Sequence, residues 1–184
     1  MKITDNFLDD VRILEPNVYS DKRGYFFESW NQQVFNDLLK KDIKFVQDNH
    51  SGSVHGTLRG LHYQLENSQG KLVRVTKGEV FDVAVNLKRS SNDFGKTAHT
   101  ILSSENKRMF WIPEGYAHGF LVLSDYAEFQ YKTTNFYDKN SDRTIIWNDK
   151  TLNITWPLDR LKHAPLLSEK DILGKKFEDA EVFD

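Results

Sequence analysis

Residues 72–87 read Leu72-Val-Arg-Val-Thr-Lys-Gly-Glu-Val-Phe-Asp-Val-Ala-Val-Asn-Leu87, and they give the clearest indication of the fold. Apolar residues alternate, or nearly alternate, over Leu72–Thr76 and again over Glu79–Leu87, which is the period of a β-strand. Lys77 and Gly78 separate the two runs and predict a hairpin-like break between them. The centre of the chain is therefore expected to consist of strands.

Six further segments have the composition of short strands, and clusters of turn residues separate several of them. This spacing is typical of a β-sandwich or a double-sheet jelly roll. The segments are Tyr25–Trp30, Thr97–Leu102, Arg108–Ile112, Gly119–Leu123, Ala127–Thr134 and Arg143–Trp147.

Helices are expected at only two places. Apolar residues form one stripe along Asn31–Lys41, which predicts an amphipathic helix. A second, short helix is predicted to begin near Ser168, because Ser168-Glu-Lys-Asp171 resembles a capping box. No linker, repeat or low-complexity tract interrupts the chain, so residues 1–184 are expected to form one β-rich domain.

The composition excludes several classes of function. The net charge is −2, so no general positive field would attract nucleic acid or an anionic membrane. The chain has no cysteine, which excludes disulfides, thiol nucleophiles and cysteine-ligated metals. Met1 is not followed by a signal peptide, and no apolar run approaches the roughly 20 residues of a membrane helix. A cytoplasmic location is the resulting expectation.

The segment Arg59-Gly-Leu-His-Tyr-Gln64 is the first candidate for chemistry. His62 could transfer a proton near neutral pH, since the unperturbed pKa of histidine is about 6.5. Arg59 offers a rigid guanidinium that suits a carboxylate or a phosphate. A base beside an anion-binding group suggests an enzyme that removes a proton from a phosphorylated substrate. A lone histidine in a strand is more often a hydrogen-bonded core residue, so further motifs are needed.

A second motif, Pro113-Glu-Gly-Tyr-Ala-His-Gly119, resembles the second conserved motif of the cupin superfamily. In cupins the first motif contributes two histidines and a glutamate to a metal. Here the comparable segment reads His62-Tyr-Gln64, and an amide is a poor ligand for zinc or iron. We therefore expect no metal and no cofactor, which leaves His62 free to act as a base.

A series of motifs in a fixed order resembles the dTDP-4-dehydrorhamnose 3,5-epimerase family over roughly Asn6–Phe177. Asn86, where the family usually has aspartate, is a small departure. The motifs are Asp21–Phe26, Phe45–Asn49, Leu58–Gln64, Gly70–Val75, Gly78–Val85, Trp111–Phe120, Tyr131–Thr134, Ile146–Asp149 and Leu167–Asp171.

The resemblance implies a mainly all-β fold, a cupin-like double-stranded β-helix or jelly-roll barrel with a few short helices. It also implies a homodimer that acts on a dTDP-linked 4-keto-6-deoxy sugar in dTDP-rhamnose and surface-polysaccharide biosynthesis. Tyr25–Trp30 is expected to contribute to the dimer contact, because exposed rings in an edge strand favour a covering partner.

The reaction that the resemblance implies needs no redox cofactor. A ketone at C4 of the sugar acidifies the hydrogens on C3 and C5. Inversion of a centre requires a base on one face and an acid on the other, and an imidazole and a phenol form such a pair. The enolate formed between the two steps requires a positive charge near its oxygen.

By resemblance, four residues are expected to be catalytic. His62 is the base, and Asp171 orients its imidazole and favours the positively charged form of the ring. Tyr131 is the opposing acid, and Lys71 stabilises the enolate. The residues expected to bind substrate are Arg23, Phe26, Glu28, Gln47, Asn49, Arg59, His118, Asp142 and Lys170. Arg23 and Glu28 are expected to reach the site of the neighbouring subunit.

Two other hypotheses remain open from the sequence. One is a related enzyme on the same fold, either an epimerase acting at one carbon or a 3,4-ketoisomerase. The other is a cupin that binds a nucleotide sugar without converting it. Incorporation of solvent deuterium at two carbons, one carbon or none separates these hypotheses.

Overall fold

Strands dominate the computed structural model, which describes all of residues 1–184. Two short helices, α1 (Gln32–Leu39) and α2 (Glu169–Ile172), and two 3-10 turns, Leu158–Arg160 and Phe177–Asp179, complete the regular structure. In chain order the strands are β1 (Lys2–Phe7), β2 (Val11–Glu15), β3 (Val18–Asp21), β4 (Gly24–Phe27), β5 (Gln47–Val54), β6 (Leu58–Gln64), β7 (Lys71–Lys77), β8 (Glu79–Asn86), β9 (Thr97–Ser103), β10 (Met109–Ile112), β11 (Tyr116–Val122), β12 (Tyr126–Thr133) and β13 (Asp142–Thr144).

The strands form two antiparallel sheets and one separate hairpin. The larger sheet has the order β1-β2-β10-β7-β12-β5, and the smaller has the order β13-β6-β11-β8-β9. The hairpin consists of β3 and β4. Most neighbours in the two sheets are distant in sequence, as in a jelly roll. The prediction of a mainly all-β, cupin-like barrel is confirmed.

The break predicted at Lys77-Gly78 is present between β7 and β8, but its prediction as hairpin-like is wrong. β7 pairs with β10 and β12, whereas β8 pairs with β11 and β9, so the two strands belong to different sheets. Gly78 has a φ of +78°, and a Cβ there would lie 2.2 Å from the carbonyl oxygen of Tyr126. The chain therefore turns sharply at a glycine to pass from one sheet to the other. The local pattern predicted both strands correctly but contained no information on their partners.

The main core lies between the two sheets. Its residues come from alternate positions of facing strands, such as Val73 and Val75 of β7 and Phe120 and Val122 of β11. A second cluster covers the opposite face of the smaller sheet, where the C-terminal segment contributes Trp156 and other apolar side chains. Because successive residues of a strand face opposite sides, His62 and His118 point toward the space between the sheets.

Both predicted helices form. Asn31 accepts a hydrogen bond from the backbone N–H of Val34 at 3.1 Å and caps α1, whose Phe35 is completely buried against the larger sheet. Ser168 caps α2 in the predicted capping box with Asp171. Neither α1, which has eight residues, nor the shorter α2 could span a membrane.

Candidate active site

A histidine–aspartate pair lies at the edge of the space between the sheets. Nε2 of His62, on β6, is 2.6 Å from Oδ1 of Asp171 at the end of the first turn of α2. The Asp171 carboxylate, which is 2% exposed, also accepts hydrogen bonds from the Ser168 hydroxyl at 2.6 Å and from the Gly60 N–H at 3.2 Å. The short helix therefore brings a carboxylate to a histidine that is 109 residues away in sequence.

The surroundings of this pair set its protonation state. Burial acts to raise the pKa of Asp171, but the hydrogen bonds from His62 and Ser168 outweigh it and lower that pKa to about 2. Burial lowers the pKa of His62, and Asp171 opposes this effect only in part. At neutral pH the pair therefore consists of a carboxylate and a neutral imidazole. Since Nε2 donates to the carboxylate, Nδ1 is the nitrogen that can accept a proton.

A cavity of about 350 Å³ opens between the two sheets beside His62. The smaller sheet contributes His62 and His118 to one wall, while β5 and β12 of the larger sheet contribute Asn49 and Tyr131 to the other. Stacked rings of Phe120 and Phe129, with centroids 4.2 Å apart, also line it. The cavity thus combines an apolar surface with polar groups on facing walls, as ligand sites commonly do.

Tyr131 carries the phenol of this cavity. No hydrogen bond within the protein involves its hydroxyl group, and burial raises its pKa above the usual value. The phenol is therefore protonated at neutral pH and can donate to a ligand. It faces His62 from the opposite sheet.

Lys71 supplies a buried positive charge. Its side chain on β7 is 7% exposed, and Nζ donates to the backbone carbonyl of His62 at 3.3 Å. Burial lowers the pKa of Lys71 to about 8, against the opposing effect of Asp142 and Asp82. The amine is thus mostly charged at neutral pH and lies among the lining residues of the cavity.

Several other predicted residues also lie at the cavity. Arg59 lines it and donates from Nε to the Ser53 hydroxyl at 3.1 Å. Asp142 lines it and accepts hydrogen bonds from Lys170 and, at 3.1 Å, from the Tyr137 hydroxyl. Gln47 does not line the cavity itself but binds two residues that do: its amide donates to the side chain of Asn49 at 2.9 Å and accepts from the backbone N–H of Tyr137 at 3.1 Å.

Three predicted substrate contacts are not part of this cavity. Arg23 and Phe26 belong to the hairpin of β3 and β4, and Glu28 follows it directly. All three are exposed, and Arg23 pairs only with Asp21. Their role in binding stays a prediction that requires a second subunit.

Asp82, in the interior of the cavity wall, was not predicted from the sequence. This carboxylate on β8 is completely buried, and its oxygens lie 2.9 and 3.1 Å from Nε2 of His118. A signal was present in the sequence, because Asp82 is the only charged residue in the apolar run Val80–Val85. A buried charge among valines indicates a partner, since isolated charges are rarely buried.

Two glycines bring the histidines together. His118 of β11 lies opposite His62 of β6 in the strand register. A Cβ on Gly60 would lie 2.5 Å from Cα of Gly119, and a Cβ on Gly119 would lie 2.8 Å from the Arg59 carbonyl oxygen. Only glycine at both positions allows this close approach of the two strands.

The donors present do not suit a metal ion. Nε2 of His62 and Nε2 of His118 each bind a carboxylate. Gln64 donates its amide to the carbonyl oxygen of Asn67 and accepts from the backbone N–H of Asp138. The three positions that correspond to cupin ligands are thus engaged with the protein itself. That the protein needs no metal stays a prediction.

Comparison with known proteins identifies similar sequences over the whole chain. The family model described as dTDP-4-dehydrorhamnose 3,5-epimerase matches residues 5–179. A dTDP-4-dehydrorhamnose 3,5-epimerase of Shigella flexneri is 57% identical over 184 residues, which is 100% of this chain and 99% of the relative. A dTDP-4-dehydrorhamnose 3,5-epimerase of Pseudomonas aeruginosa is also 57% identical. That match covers 100% of this chain and 99% of the relative.

The fold is likewise similar to a solved structure. The epimerase RmlC of Legionella pneumophila, in complex with dTDP-4-keto-L-rhamnose, superposes with a TM-score of 0.93 at 47% identity. The match covers 98% of this chain and 94% of the Legionella chain.

Proposed function

Since this chain belongs to the dTDP-4-dehydrorhamnose 3,5-epimerase family, we propose that it converts dTDP-4-dehydro-6-deoxy-D-glucose to dTDP-4-dehydro-L-rhamnose by general acid–base catalysis. The observation that supports this mechanism most is the position of a neutral imidazole and a protonated phenol on opposite walls of one cavity. The two groups can act on opposite faces of one sugar ring.

The proposed reaction takes place in two proton transfers at each carbon. Nδ1 of His62 removes the proton from a carbon next to the C4 ketone, and the electron pair moves to the C4 oxygen to give an enolate. The ammonium of Lys71 stabilises that oxygen in a buried site, where a charge has a large effect. Tyr131 then donates its proton to the same carbon from the opposite face, and the configuration is inverted.

Asp171 makes the base effective in this scheme. Its carboxylate accepts a hydrogen bond from the Nε2–H of His62, fixes the ring orientation and stabilises the imidazolium that forms when His62 takes a proton from the substrate. After each inversion His62 releases its proton and Tyr131 regains one, both by exchange with water. The same set of groups can then act on the second carbon.

The remaining polar residues are proposed to bind the nucleotide part of the substrate. Arg59, which lines the cavity from β6, suits the diphosphate because a guanidinium can donate two parallel hydrogen bonds to the oxygens of a phosphate. Asn49, Gln47 and His118 are proposed to contact the sugar or the nucleotide, and Asp142 with Lys170 forms a further polar edge of the cavity.

We further propose that the protein acts as a homodimer in the cytoplasm. Tyr19, Tyr25 and Phe26 of the hairpin are 66%, 62% and 71% exposed, and such an aromatic surface favours a covering partner. In the dimer Arg23, Phe26 and Glu28 would reach the cavity of the neighbouring subunit.

Deuterium incorporation tests the proposed reaction. We expect the enzyme in heavy water to place solvent deuterium at both C3 and C5 of the sugar, as read by NMR of the product. His62→Asn, which keeps a polar side chain of similar size, should abolish incorporation at both carbons. Incorporation at one carbon would indicate a one-carbon epimerase or a ketoisomerase, and none with the unchanged protein would indicate a binding protein.

A further inference from the structure

Two connections between the sheets lie side by side at the edge of the cavity. Residues 65–70 join β6 to β7, and residues 134–141 join β12 to β13. Gln69 of the first connection and Tyr137 of the second line the cavity. The connections bind each other directly, because the side chain of Gln69 donates to the carbonyl oxygen of Asn135 at 2.8 Å. The mechanism described above gives neither connection a role.

The side chain of Gln64 binds both connections. Gln64 is the last residue of β6, is 3% exposed and faces the same side of the strand as His62. Its Nε2 donates to the carbonyl oxygens of Asn67 at 2.8 Å and of Phe136 at 3.2 Å. Its Oε1 accepts from the backbone N–H of Asp138 at 2.9 Å. The amide is therefore fully committed to the backbone of the two connections.

Only an amide can make this set of three hydrogen bonds. A carboxylate could accept from Asp138 but would lie against the two carbonyl oxygens without a proton to donate. A neutral imidazole has one donor and one acceptor, so it could not bind both carbonyl groups and the N–H. An apolar side chain would leave the three backbone groups without this partner. The amide at Gln64 thus has a task that a histidine at the same position could not perform.

Tyr137 is the residue that this arrangement holds in place. The peptide groups on either side of it are those that Gln64 binds. Its own N–H donates to Oε1 of Gln47 at 3.1 Å, and its hydroxyl donates to Asp142 at 3.1 Å. The Tyr137 residue is 56% exposed and lines the cavity, so its ring lies where the cavity meets solvent.

We propose that Gln64 is a positioning residue of the epimerase, which holds residues 136–138 so that the Tyr137 ring forms a binding surface for the nucleotide sugar. This inference rests on the proposed function, which supplies the nucleotide sugar as the ligand. Gln64 acts through the backbone around Tyr137, since each hydrogen bond of its side chain is made to the backbone. Loss of the amide should therefore weaken binding more than it slows the chemistry.

The first test compares the kinetics of Gln64→Met and Asn86→Leu. Methionine keeps the length of glutamine but not its hydrogen bonds. In Gln64→Met we expect KM to rise roughly ten-fold, as for the loss of buried hydrogen bonds, while kcat stays close to that of the parent. An unchanged KM would overturn the proposal.

Asn86 is the matched control for a purely structural effect. It is a completely buried amide on β8 that holds a different loop, by donating to the Ser91 hydroxyl and accepting from the backbone N–H of Lys88. It does not line the cavity. Asn86→Leu should lower the free energy of unfolding in urea and leave KM unchanged. An equal rise of KM in this variant would show that loss of stability alone explains the effect, and would contradict the role of Gln64.

A double-mutant cycle tests whether Gln64 acts through Tyr137. KM is measured for Gln64→Met, for Tyr137→Ala and for the variant with both changes. We expect the double variant to have the KM of Tyr137→Ala alone, because the ring that Gln64 positions is then absent. Additive effects of the two changes on the free energy of binding would contradict the proposal.

Two further measurements do not depend on turnover. Gln64→Met should take up deuterium faster in a peptide that covers residues 134–141, as read by mass spectrometry, because the N–H of Asp138 loses its acceptor. It should also bind dTDP-glucose roughly ten-fold more weakly in calorimetry; this nucleotide sugar lacks the C4 ketone and is not converted.

Gln64→Glu is the second variant for both measurements. It keeps the length of the side chain but lacks the two N–H donors, so we expect the same faster uptake and weaker binding. Uptake or affinity equal to that of the parent in the folded variants would overturn the proposal, because the amide would then not hold the segment or the segment would not affect binding.

These measurements also separate this inference from the proposed function. Faster uptake and weaker dTDP-glucose binding, in a protein whose parent incorporates no deuterium into the sugar, would support the role of Gln64 in binding and contradict the epimerisation. Deuterium at both C3 and C5, together with a parent-like KM in Gln64→Met, would leave the epimerase function in place and remove the role of Gln64.

Discussion

The hydroxyl group of Tyr131 should separate proton removal from proton delivery. Tyr131→Phe keeps the ring that packs near Phe129 and loses only the acid. We expect His62 still to exchange the substrate hydrogens with deuterium and retain their configuration, while formation of the inverted product falls about 10²–10⁴-fold. Deuterium exchange by mass spectrometry and product by NMR give the two rates. Inversion at the parent rate would show that another group, or water, is the acid.

The rate of the unchanged enzyme should depend on pH through the protonation of His62 and of Lys71. His62 must be neutral to act, and burial lowers its pKa below 6.5, so we expect activity to persist below pH 6.5. Lys71 must be charged, and its pKa of about 8 predicts a decrease of kcat above roughly pH 8. A profile of kcat measured from pH 4.5 to 10 checks both limits. A limit near pH 10 would mean that Lys71 is not essential as a cation.

The partner of the base gives a related prediction. Asp171 favours protonated His62, so Asp171→Asn should lower the pKa of the imidazole and move the acidic limit of kcat further down. The maximal rate should also fall at least about ten-fold, because an amide cannot stabilise the imidazolium. Ser168→Ala, which removes a hydrogen bond to the carboxylate but keeps the charge, is the control and should have a smaller effect on both quantities. An unchanged acidic limit in Asp171→Asn would argue against the pairing.

At the scale of residues, the sequence could predict the parts of the site that local motifs contain. Arg59 and His62 lie in one hexapeptide, and their chemistry can be inferred directly. Asp171 is 109 residues from His62, so only the resemblance to a family suggested that the two meet. Asp82 was missed although it is the only charged residue in the run Val80–Val85, because a strand pattern does not show which residue is its partner on the neighbouring strand.

At the scale of elements, the contact of β6 with β11 depends on two glycines. Gly119→Ala would place a methyl group 2.8 Å from the Arg59 carbonyl oxygen and 3.1 Å from Cδ2 of Leu61, so the strands must move apart. We expect the free energy of unfolding to fall by about 1–3 kcal/mol, as for other overpacked sites. The activity should fall as well, because His62 and His118 are on these strands. Urea unfolding measures the first effect, and equal stability of variant and parent would contradict it.

Strand β5 was not predicted from the sequence, and the reason is its position beside the candidate site. β5 reads Gln47-Asp-Asn-His-Ser-Gly-Ser-Val54 and lacks the apolar alternation of a strand, yet it pairs along its whole length with β12. Asn49 and Ser51 of this strand line the cavity instead of the core. A strand that faces a ligand site carries polar residues on its inner side, and the usual hydrophobic pattern is absent.

At the scale of the whole molecule, the proposed dimer can be tested by mixing two impaired variants. His62→Asn lacks the base, and Arg23→Ala lacks the guanidinium that is proposed to reach the neighbouring site. In a mixed dimer, one site receives both an intact His62 and an intact Arg23. After dissociation and reassociation of equal amounts, we expect about one quarter of the parent activity, since half of the dimers are mixed and each has one complete site.

The control for this experiment is each variant alone after the same treatment, which should remain at its own low activity. No gain on mixing would show that Arg23 acts within its own subunit or not at all. The sequence could suggest this arrangement only through resemblance. In the structure the side chain of Arg23 is 85% exposed and pairs only with Asp21, so it is accessible to a second subunit.

The contact between α2 and β6 also bears on the order in which the protein becomes functional. Closing a loop of 109 residues costs chain entropy, and contacts so distant in sequence tend to form slowly. A chain that has assembled its two sheets without the C-terminal segment would contain His62, Lys71 and Tyr131 but not the carboxylate that orients the base and stabilises its protonated form. Such a partly folded chain would have a pocket but a rate at least about ten-fold lower, as expected for loss of the Asp171 carboxylate. The return of catalysis during refolding therefore marks the docking of the C-terminal segment, in which Trp156 packs against the smaller sheet and provides a fluorescent signal for the same event.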